Sequence, residues 1–240
     1  MSTDRQHAGS AALPHQCPLC GTDSASRAQS HGRDFHHCRE CDLIAVAAEQ
    51  HLSAGAQRER YANHENSLAN AGYVRMFDAF VERVREYAPP PARAIDIGCG
   101  PHRVLIELMR RAGYDAVGFD PVYGIDDTIV APFDLIVSTE SFEHFSRPGE
   151  SLTFLLGLLN EGGVLAVMTR LHPGFDGISD WWYARDPTHV SFYSAATMRW
   201  IAKRHGLELL ACDGVQITVM RKFRGHAGDD SPSTQHVGQL

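Results

Sequence analysis

The sequence predicts an α/β protein whose central sheet is mostly parallel, preceded by a small cysteine-rich segment. From residue 93 onward, short apolar runs alternate with helical patterns, and this alternation is typical of βαβ units. Before that point, four cysteines lie in two pairs within residues 15–45. A chain of 240 residues, 43% of them hydrophobic, is long enough for one ordinary core and a small appendage.

Composition narrows the range of partners. The formal net charge of −7 provides no broad field for a polyanion, so nucleic acid is not the expected partner. No apolar run reaches the roughly 18 residues of a membrane span, and residues 1–16 lack the apolar stretch of a secretory signal. We therefore expect a cytoplasmic location, a reducing environment and no membrane partner. The sequence leaves the oligomeric state open.

Helices are predicted where apolar residues recur every three or four positions. Over residues 66–87, Phe77, Val81 and Val84 follow this spacing, and the prolines at 89–91 end the pattern. The other helical patterns lie near residues 102–112, 147–160 and 194–205.

Strands are predicted from six apolar runs. Only Asp213 and Gly214 separate the last two runs, and this pair is a tight-turn signal, so the sheet is expected to end in a C-terminal antiparallel hairpin. The six runs span residues 93–98, 116–119, 133–138, 163–169, 207–212 and 215–220.

A glycine turn follows the first of these strands, in "AIDIGCGPH" at residues 94–102. Glycines between a buried strand and a helix let backbone N–H groups approach a ligand closely. A dinucleotide site needs a third glycine at position 103, which is Arg103 here. It also needs an acidic strand end about 20 residues onward, which Asp120 supplies.

The two cysteine pairs form the pattern C-x2-C-x17-C-x2-C. This spacing predicts four thiolates around one Zn²⁺, and four protein ligands leave no open position, so the zinc is expected to be structural. Disulfides, or exchange of one ligand for His36 or His37, are the alternatives. The other two cysteines, Cys99 and Cys212, fit packing better than chemistry. The predicted zinc ligands are Cys17, Cys20, Cys38 and Cys41.

Four ordered motifs carry a family resemblance. "DIGCGPH", "GFDP", "FDLIVSTESFEHF" and "LLNEGGVLAVMT" together resemble the motif series of class I S-adenosylmethionine-dependent methyltransferases, over roughly residues 66–220. The resemblance implies a Rossmann-like fold with S-adenosylmethionine as cofactor. It places Asp96, Gly98 and Gly100 around the methionine part and Asp120 on the ribose hydroxyls. The full set of implied cofactor residues is Asp96, Gly98, Cys99, Gly100, Asp120, Pro121, Ser138 and Glu140.

Two departures from the family pattern bear on the cofactor pocket. His102 stands where the family usually has a third glycine, and it either narrows the site of the cofactor's carboxylate or binds that group. Only 12 residues, 121–132, separate the second motif from the third. We therefore expect a shortened or missing edge strand, with at most a stub at 128–130, and Asp126 or Asp127 near the adenine.

The resemblance places the acceptor pocket over the carboxyl ends of the strands that begin at Phe133 and Val164. The catalytic candidates are His189, His144, Asp186 and Tyr193, with His189 as the first candidate for a general base. In the alternative interpretation, Asp186 caps a turn and His189 packs against Trp181 or Trp182.

The predicted function is methyl transfer to an oxygen, nitrogen or carbon atom of a small molecule. The alternatives are a methyltransferase of RNA or protein that docks through the zinc ribbon, and a non-catalytic module that binds S-adenosylmethionine. The predicted organisation is a disordered segment at 1–13, a zinc ribbon at 14–46, a helical linker or lid at 47–92, a methyltransferase core at 93–224 and a disordered tail at 225–240.

Overall fold

The structure, a computed structural model, describes residues 15–23, 26–61, 67–127 and 129–224. The segments predicted to be disordered, 1–13 and 225–240, lie outside the described residues. Two sheets and five α-helices make up the described part of the chain. The helices are α1 (Ala54–Tyr61), α2 (Ala71–Arg85), α3 (Val104–Arg111), α4 (Pro148–Leu158) and α5 (Ala195–Arg204).

The strands fall into a small N-terminal group and a larger group that forms the core. They are β1 (Ser26–Ser30), β2 (Arg33–His37), β3 (Ile44–Val46), β4 (Arg93–Ile97), β5 (Asp115–Asp120), β6 (Ile125–Asp126), β7 (Phe133–Thr139), β8 (Leu159–Met168), β9 (Ser191–Phe192), β10 (Leu207–Cys212) and β11 (Ile217–Lys222).

The seven-stranded central sheet has the order β10-β11-β8-β7-β4-β5-β6. Strands β5, β4, β7 and β8 are parallel, while β11 pairs antiparallel with both β8 and β10. The predicted mostly parallel sheet with a C-terminal antiparallel hairpin is therefore confirmed.

Both faces of the central sheet are buried. In β7, Leu135 and Val137 pack toward a cluster that contains Phe77 of α2. Ile136, between them, packs toward the opposite cluster, together with Leu155 of α4. Because successive side chains of a strand point to opposite faces, an unbroken apolar run is what a sheet covered on both sides requires.

The edge strand is shortened, as predicted, but it lies at a different position. β6 covers Ile125–Asp126, and it pairs antiparallel with β5. Of the predicted stub at 128–130, residues 129 and 130 are not in a strand, and residue 128 lies outside the described residues. Gly124, with φ +64°, lies in the turn that reverses the chain after β5. A parallel crossover needs a dozen or more residues, whereas a short reversal permits only antiparallel pairing.

Two element ends differ from the prediction because side chains cap the backbone. Helix α2 begins at Ala71 because the Asn70 side chain accepts hydrogen bonds from the N–H groups of the next turn. The hairpin connection has four residues rather than two. Asp213 Oδ1 accepts hydrogen bonds from the N–H groups of residues 215, 216 and 217, which holds this wider loop.

The second sheet joins the N-terminal segment to the core. Its order is β1-β2-β3-β9, and β9 belongs to the long segment that follows β8. Ile44 and Ala45 of β3 pair with Phe192 and Ser191 of β9. We call the described part of residues 15–46 the cysteine module. The fourth strand of its sheet, β9, comes from the segment that follows β8.

Candidate active site

A large cavity lies at the carboxyl ends of the parallel strands. Its volume is about 1690 Å³, which exceeds the roughly 300–1,000 Å³ of an ordinary small-ligand pocket. The residues after β4, β5, β7 and β8 all contribute to its lining, and residues of α1 and α2 wall it from another side. In open α/β sheets, ligands bind at this edge.

The glycine turn after β4 serves two different purposes. A side chain at Gly98, where φ is +78°, would lie 2.2 Å from Ser141 Oγ, so this glycine permits close packing within the protein. Gly100, where φ is +64°, has open space where a side chain would stand. Both glycines line the cavity, but only Gly100 leaves room there for a ligand.

Asp96 is one of the buried acidic groups that line the cavity. Its side chain is 2% exposed, and its Oδ1 atom has no hydrogen-bond partner among the described residues. Burial, reinforced by the Asp120 carboxylate, raises the pKa of Asp96 to about 8. A buried carboxylate oxygen without a partner is costly, and a cationic or hydrogen-bonding ligand would satisfy it.

Asp120, at the end of β5, is held by backbone N–H groups. Its Oδ2 accepts from Gly100 N at 2.9 Å, and its Oδ1 accepts from Val122 N at 3.0 Å and Tyr123 N at 3.2 Å. The carboxylate therefore ties the loop after β4 to the loop after β5. These bonds fix its position at the cavity edge, and each oxygen keeps capacity for a ligand hydroxyl.

The helix after the glycine turn starts in an unusual way. Arg103 has φ +50°, in the left-handed region, at the position where a dinucleotide site would carry a glycine. Its guanidinium pairs with Asp127 at 2.8 Å, and Asp127 also accepts from Gly118 N at 3.0 Å. Asp127 is thus engaged by protein groups and does not line the cavity, whereas the exposed His102 does.

Most, but not all, of the predicted cofactor residues line the cavity. Ser138 does not, because it is fully buried and its hydroxyl donates to the Ile97 carbonyl at 3.0 Å. That bond joins β7 to β4 behind the site. The predicted residues that line the cavity are Asp96, Gly98, Cys99, Gly100, Asp120, Pro121 and Glu140.

A second group of polar side chains lines the cavity beyond β7. Glu140 and Glu143 lie within one turn of each other, and burial raises the pKa of each carboxyl group to about 7. Thr169 Oγ1 donates to Glu143 Oε2 at 2.7 Å, and Tyr183 Oη donates to Glu140 Oε2 at 3.4 Å.

The two candidate histidines lie side by side in this region. Their ring centroids are 4.9 Å apart, and both residues line the cavity. Burial lowers the pKa of His144, and burial together with His144 lowers the pKa of His189 to about 4. Both imidazoles are therefore neutral at neutral pH. His189 packs against Tyr183, with 4.2 Å between ring centroids and 51° between ring planes, rather than against Trp181 or Trp182.

Two predicted catalytic residues lie away from the cavity. Tyr193 is 1% exposed, and its hydroxyl donates to the Phe142 carbonyl at 3.1 Å. Asp186 caps a turn by accepting from Thr188 N at 2.9 Å, and it pairs with Arg60 at 3.0 Å. Neither side chain lines the cavity, because each is committed to a structural hydrogen bond.

Several lining residues were not among the predicted site residues. Tyr61 of α1 packs edge-on against His144, with centroids 5.1 Å apart, although the sequence predicted only a linker or lid there. Arg170 is the second residue after β8, and its guanidinium lies over Trp182. A polar residue just beyond the carboxyl end of a parallel strand was the available signal for Arg170, whereas no sequence signal marked Tyr61.

The four predicted zinc ligands come together in the cysteine module. Their Sγ atoms all lie within 4.8 Å of one another, with Cys17–Cys41 at 3.5 Å and Cys20–Cys38 at 3.4 Å. A disulfide would require about 2.05 Å between the sulfurs, and the edge of a ZnS4 tetrahedron is about 3.8 Å. All four are free thiols, and the arrangement is compatible with one zinc ion.

The described part of the chain contains no helix that is both long and apolar enough to cross a membrane.

The methyltransferase domain family model matches residues 63–211. A search of curated proteins finds no significant match.

Three solved structures illustrate the structural similarity. An O-methyltransferase family protein from Burkholderia thailandensis aligns with 71% of this chain at 14% identity and a TM-score of 0.49, and this chain spans 64% of its length. The plantazolicin methyltransferase BpumL in complex with SAH aligns with 74% of this chain and 94% of its own, at 14% identity and a TM-score of 0.48. DesVI from Streptomyces venezuelae aligns with 71% of this chain and 99% of its own, at 13% identity and a TM-score of 0.48.

Proposed function

The chain belongs to the class I S-adenosylmethionine-dependent methyltransferases, and on this premise we propose that its methyl acceptor is a small molecule. The observation that carries the proposal is the large cavity at the ends of the parallel strands, about 1690 Å³, lined on one side by the glycine turn and on the other by the histidines. A space of this size accommodates the cofactor and a second small molecule together.

The cofactor half of the cavity is proposed to lie around Asp96, Gly100 and Asp120. S-adenosylmethionine supplies an electrophilic methyl group on a sulfonium sulfur. The open face of Gly100 and the unpartnered Asp96 Oδ1 fit a ligand that carries positive charge and polar groups. Asp120 is proposed to accept hydrogen bonds from the ribose hydroxyls, as the family resemblance implies.

The acceptor half is proposed to lie around Glu140, His144, Arg170 and His189. Methyl transfer joins an acceptor lone pair to the methyl carbon as the carbon–sulfur bond breaks, and that electron pair stays on sulfur. The residues here align the acceptor, and an acceptor N–H or O–H must also lose its proton. With a pKa near 4, His189 is a weak base at neutral pH and is better suited to hold the acceptor.

Two features favour a small acceptor over RNA or protein. The net charge of −7 provides little attraction for a polyanion. The cysteine module packs against the core through β3 and β9, and its cysteines share a cluster with Phe142 and Tyr193. This buried contact indicates a structural role for the module rather than a docking role.

Radiolabelled methyl transfer tests the proposal. The protein and methyl-labelled S-adenosylmethionine are incubated with separated metabolite, RNA and protein fractions of a cell extract, with heat-denatured protein as the inactive control. We expect label in the metabolite fraction. Label confined to RNA or protein would overturn the proposed acceptor class, and cofactor binding without label anywhere would favour the non-catalytic alternative.

A further inference from the structure

We propose that Glu143, His144 and His189 form a binding site for one divalent transition-metal ion on the acceptor side of the cavity. One possible ligand atom from each residue lies within 4.8 Å of those of the other two. All three residues line the cavity. This cluster is separate from the cysteines, and its ligands are nitrogen and oxygen atoms rather than sulfur.

The first observation in favour of a metal is the unpartnered oxygen of Glu143. This residue is 1% exposed, and its Oε2 atom accepts a hydrogen bond from Thr169 at 2.7 Å. Its Oε1 has no hydrogen-bond partner among the described residues, and His144 Nε2 lies 3.8 Å from it. Leaving a buried carboxylate oxygen without a partner is unfavourable, and a cation between these atoms would remove that cost.

The second observation is the orientation of both imidazoles. His144 Nδ1 lies 3.0 Å from the Thr188 carbonyl oxygen, and His189 Nδ1 lies 2.8 Å from that of Tyr183. A carbonyl oxygen can only accept, so each Nδ1 carries the proton and each Nε2 carries a lone pair. Metal-binding histidines are commonly oriented by such a bond from the second ring nitrogen.

The ligand set indicates the class of ion. Two imidazoles and one carboxylate suit manganese, iron, cobalt or zinc better than magnesium or calcium, which prefer oxygen ligands alone. Three protein ligands leave coordination positions free, as in catalytic rather than structural metal sites. The cavity is the space into which those positions would open.

The site is held rigidly by neighbouring groups. Arg33 of the cysteine module donates to the His189 carbonyl at 2.8 Å and to the Ala184 carbonyl. Thr169, directly after β8, fixes the Glu143 carboxylate. Ligands that are positioned before binding lose less conformational freedom when the ion arrives.

The role of the ion rests on the proposed function, although its binding does not. An acceptor oxygen bound to the cation would lose its proton to solvent more readily, because a metal lowers the pKa of a coordinated hydroxyl. The acceptor class would then be a hydroxylated small molecule.

Titration with Mn²⁺ alone tests the site. The full-length protein, with its thiolate site filled by zinc, is titrated without cofactor or acceptor, and free Mn²⁺ is measured by electron paramagnetic resonance. We expect one bound Mn²⁺ per chain. Glu143→Gln and His189→Ala should each weaken binding by at least about tenfold. His51→Ala, which removes an imidazole from the same cavity but not from the cluster, should bind Mn²⁺ as the wild type does.

The affinity of each variant for S-adenosylmethionine reports on folding in the same samples. Weakened Mn²⁺ binding in a variant that still binds the cofactor supports the site. Equal Mn²⁺ binding by wild type and both cluster variants would overturn it. The site would also be overturned if the wild-type protein bound neither Mn²⁺ nor Co²⁺ outside the thiolate site. Co²⁺ bound outside the thiolates is recognised by an absorption spectrum that lacks sulfur-to-metal charge transfer. Because no acceptor is present, failure of the proposed function leaves this result unchanged.

Discussion

Asp120 is the residue whose contacts are most easily tested. Its carboxylate accepts three backbone hydrogen bonds at the cavity edge, and we propose that it also accepts the ribose hydroxyls. Replacing Asp120 by alanine should weaken S-adenosylmethionine binding by about 1.5–3 kcal/mol, the range for hydrogen bonds to a charged group. Calorimetric titration measures this change.

Asp115 provides the matched control for that experiment. It lies at the opposite end of β5, and its side chain is 76% exposed. Asp115→Ala should leave cofactor affinity unchanged. If Asp120→Ala and wild type bound the cofactor equally well, Asp120 would have no part in cofactor recognition.

Asp96 predicts a pH dependence of cofactor binding. Its pKa of about 8 means that most of the carboxyl group is protonated at pH 6 and ionised at pH 9. A cationic cofactor favours the ionised form, so its affinity should rise between pH 6 and 9. Calorimetry at several pH values with wild type and Asp96→Asn tests this, since the variant should lose the rise. The same rise in Asp96→Asn would assign it to another group.

At the residue scale, the sequence predicted the lining residues of the cofactor half of the cavity better than those of the acceptor half. The glycine turn and Asp120 occupy short contiguous motifs at strand ends, so their neighbourhood was predictable from local order alone. Tyr193 was selected for its polar hydroxyl, but that hydroxyl is buried against the Phe142 carbonyl. No local pattern distinguishes a tyrosine that reaches a ligand from one that packs.

At the scale of elements, the second sheet holds the acceptor-side segment in place. Arg33 of β2 reaches the carbonyls of Ala184 and His189, and Val46 N donates to the Val190 carbonyl at 2.9 Å. The segment that carries His189 is therefore attached to the cysteine module on one side. On the other side it is attached to the residues that follow β7, because Val190 N donates to the Glu143 carbonyl at 2.8 Å. Its position depends on an arginine more than 150 residues earlier in the chain.

Replacing Arg33 by methionine should therefore affect the acceptor half more than the cofactor half. We expect kcat to fall by up to about 10²-fold, the scale for a displacement of about 1 Å. Affinity for S-adenosylmethionine should stay near wild type. Steady-state kinetics with a separate cofactor titration measures both quantities.

Arg27→Met serves as the control, because Arg27 lies on β1 and pairs with Asp34 at the surface. Its kinetics should match those of the wild type. A parallel loss of cofactor affinity and kcat in Arg33→Met would indicate general destabilisation and contradict a positioning role.

The elements that the sequence did not place correctly are the shortest ones. β6 and β9 have two residues each, and both depend on a partner strand rather than on their own composition. The pairing of β9 with β3 joins residues nearly 150 positions apart. The long helices and the parallel strands were predictable because their periodicity is local and repeated.

For the whole molecule, the main consequence is that the cysteine module and the core share one hydrophobic cluster. Cys17, Cys38 and Leu43 pack in the same cluster as Phe142 and Ile201. The Ser194 hydroxyl, which caps α5, also donates to Asp42 Oδ2 at 2.5 Å. We therefore propose that residues 15–46 and the methyltransferase core unfold as one unit, in contrast to a ribbon that unfolds independently.

Removal of zinc tests this proposal on the scale of the whole chain. Cys38→Ser removes one of the four thiolates, and the bound metal would otherwise contribute its binding free energy to the folded state. Each kcal/mol lost lowers the Tm of a chain of this size by about 2–4 °C, so a shift on the order of 10 °C is expected. Differential scanning calorimetry should show one transition at a lower temperature, with reduced zinc content by elemental analysis.

Cys212→Ser serves as the control. It changes a half-buried cysteine that is not one of the four predicted zinc ligands, and the variant should retain zinc. A separate low-temperature transition, with the main one unmoved, would show instead that the module unfolds alone, because a shared core cannot lose part of its packing without lowering the stability of the rest.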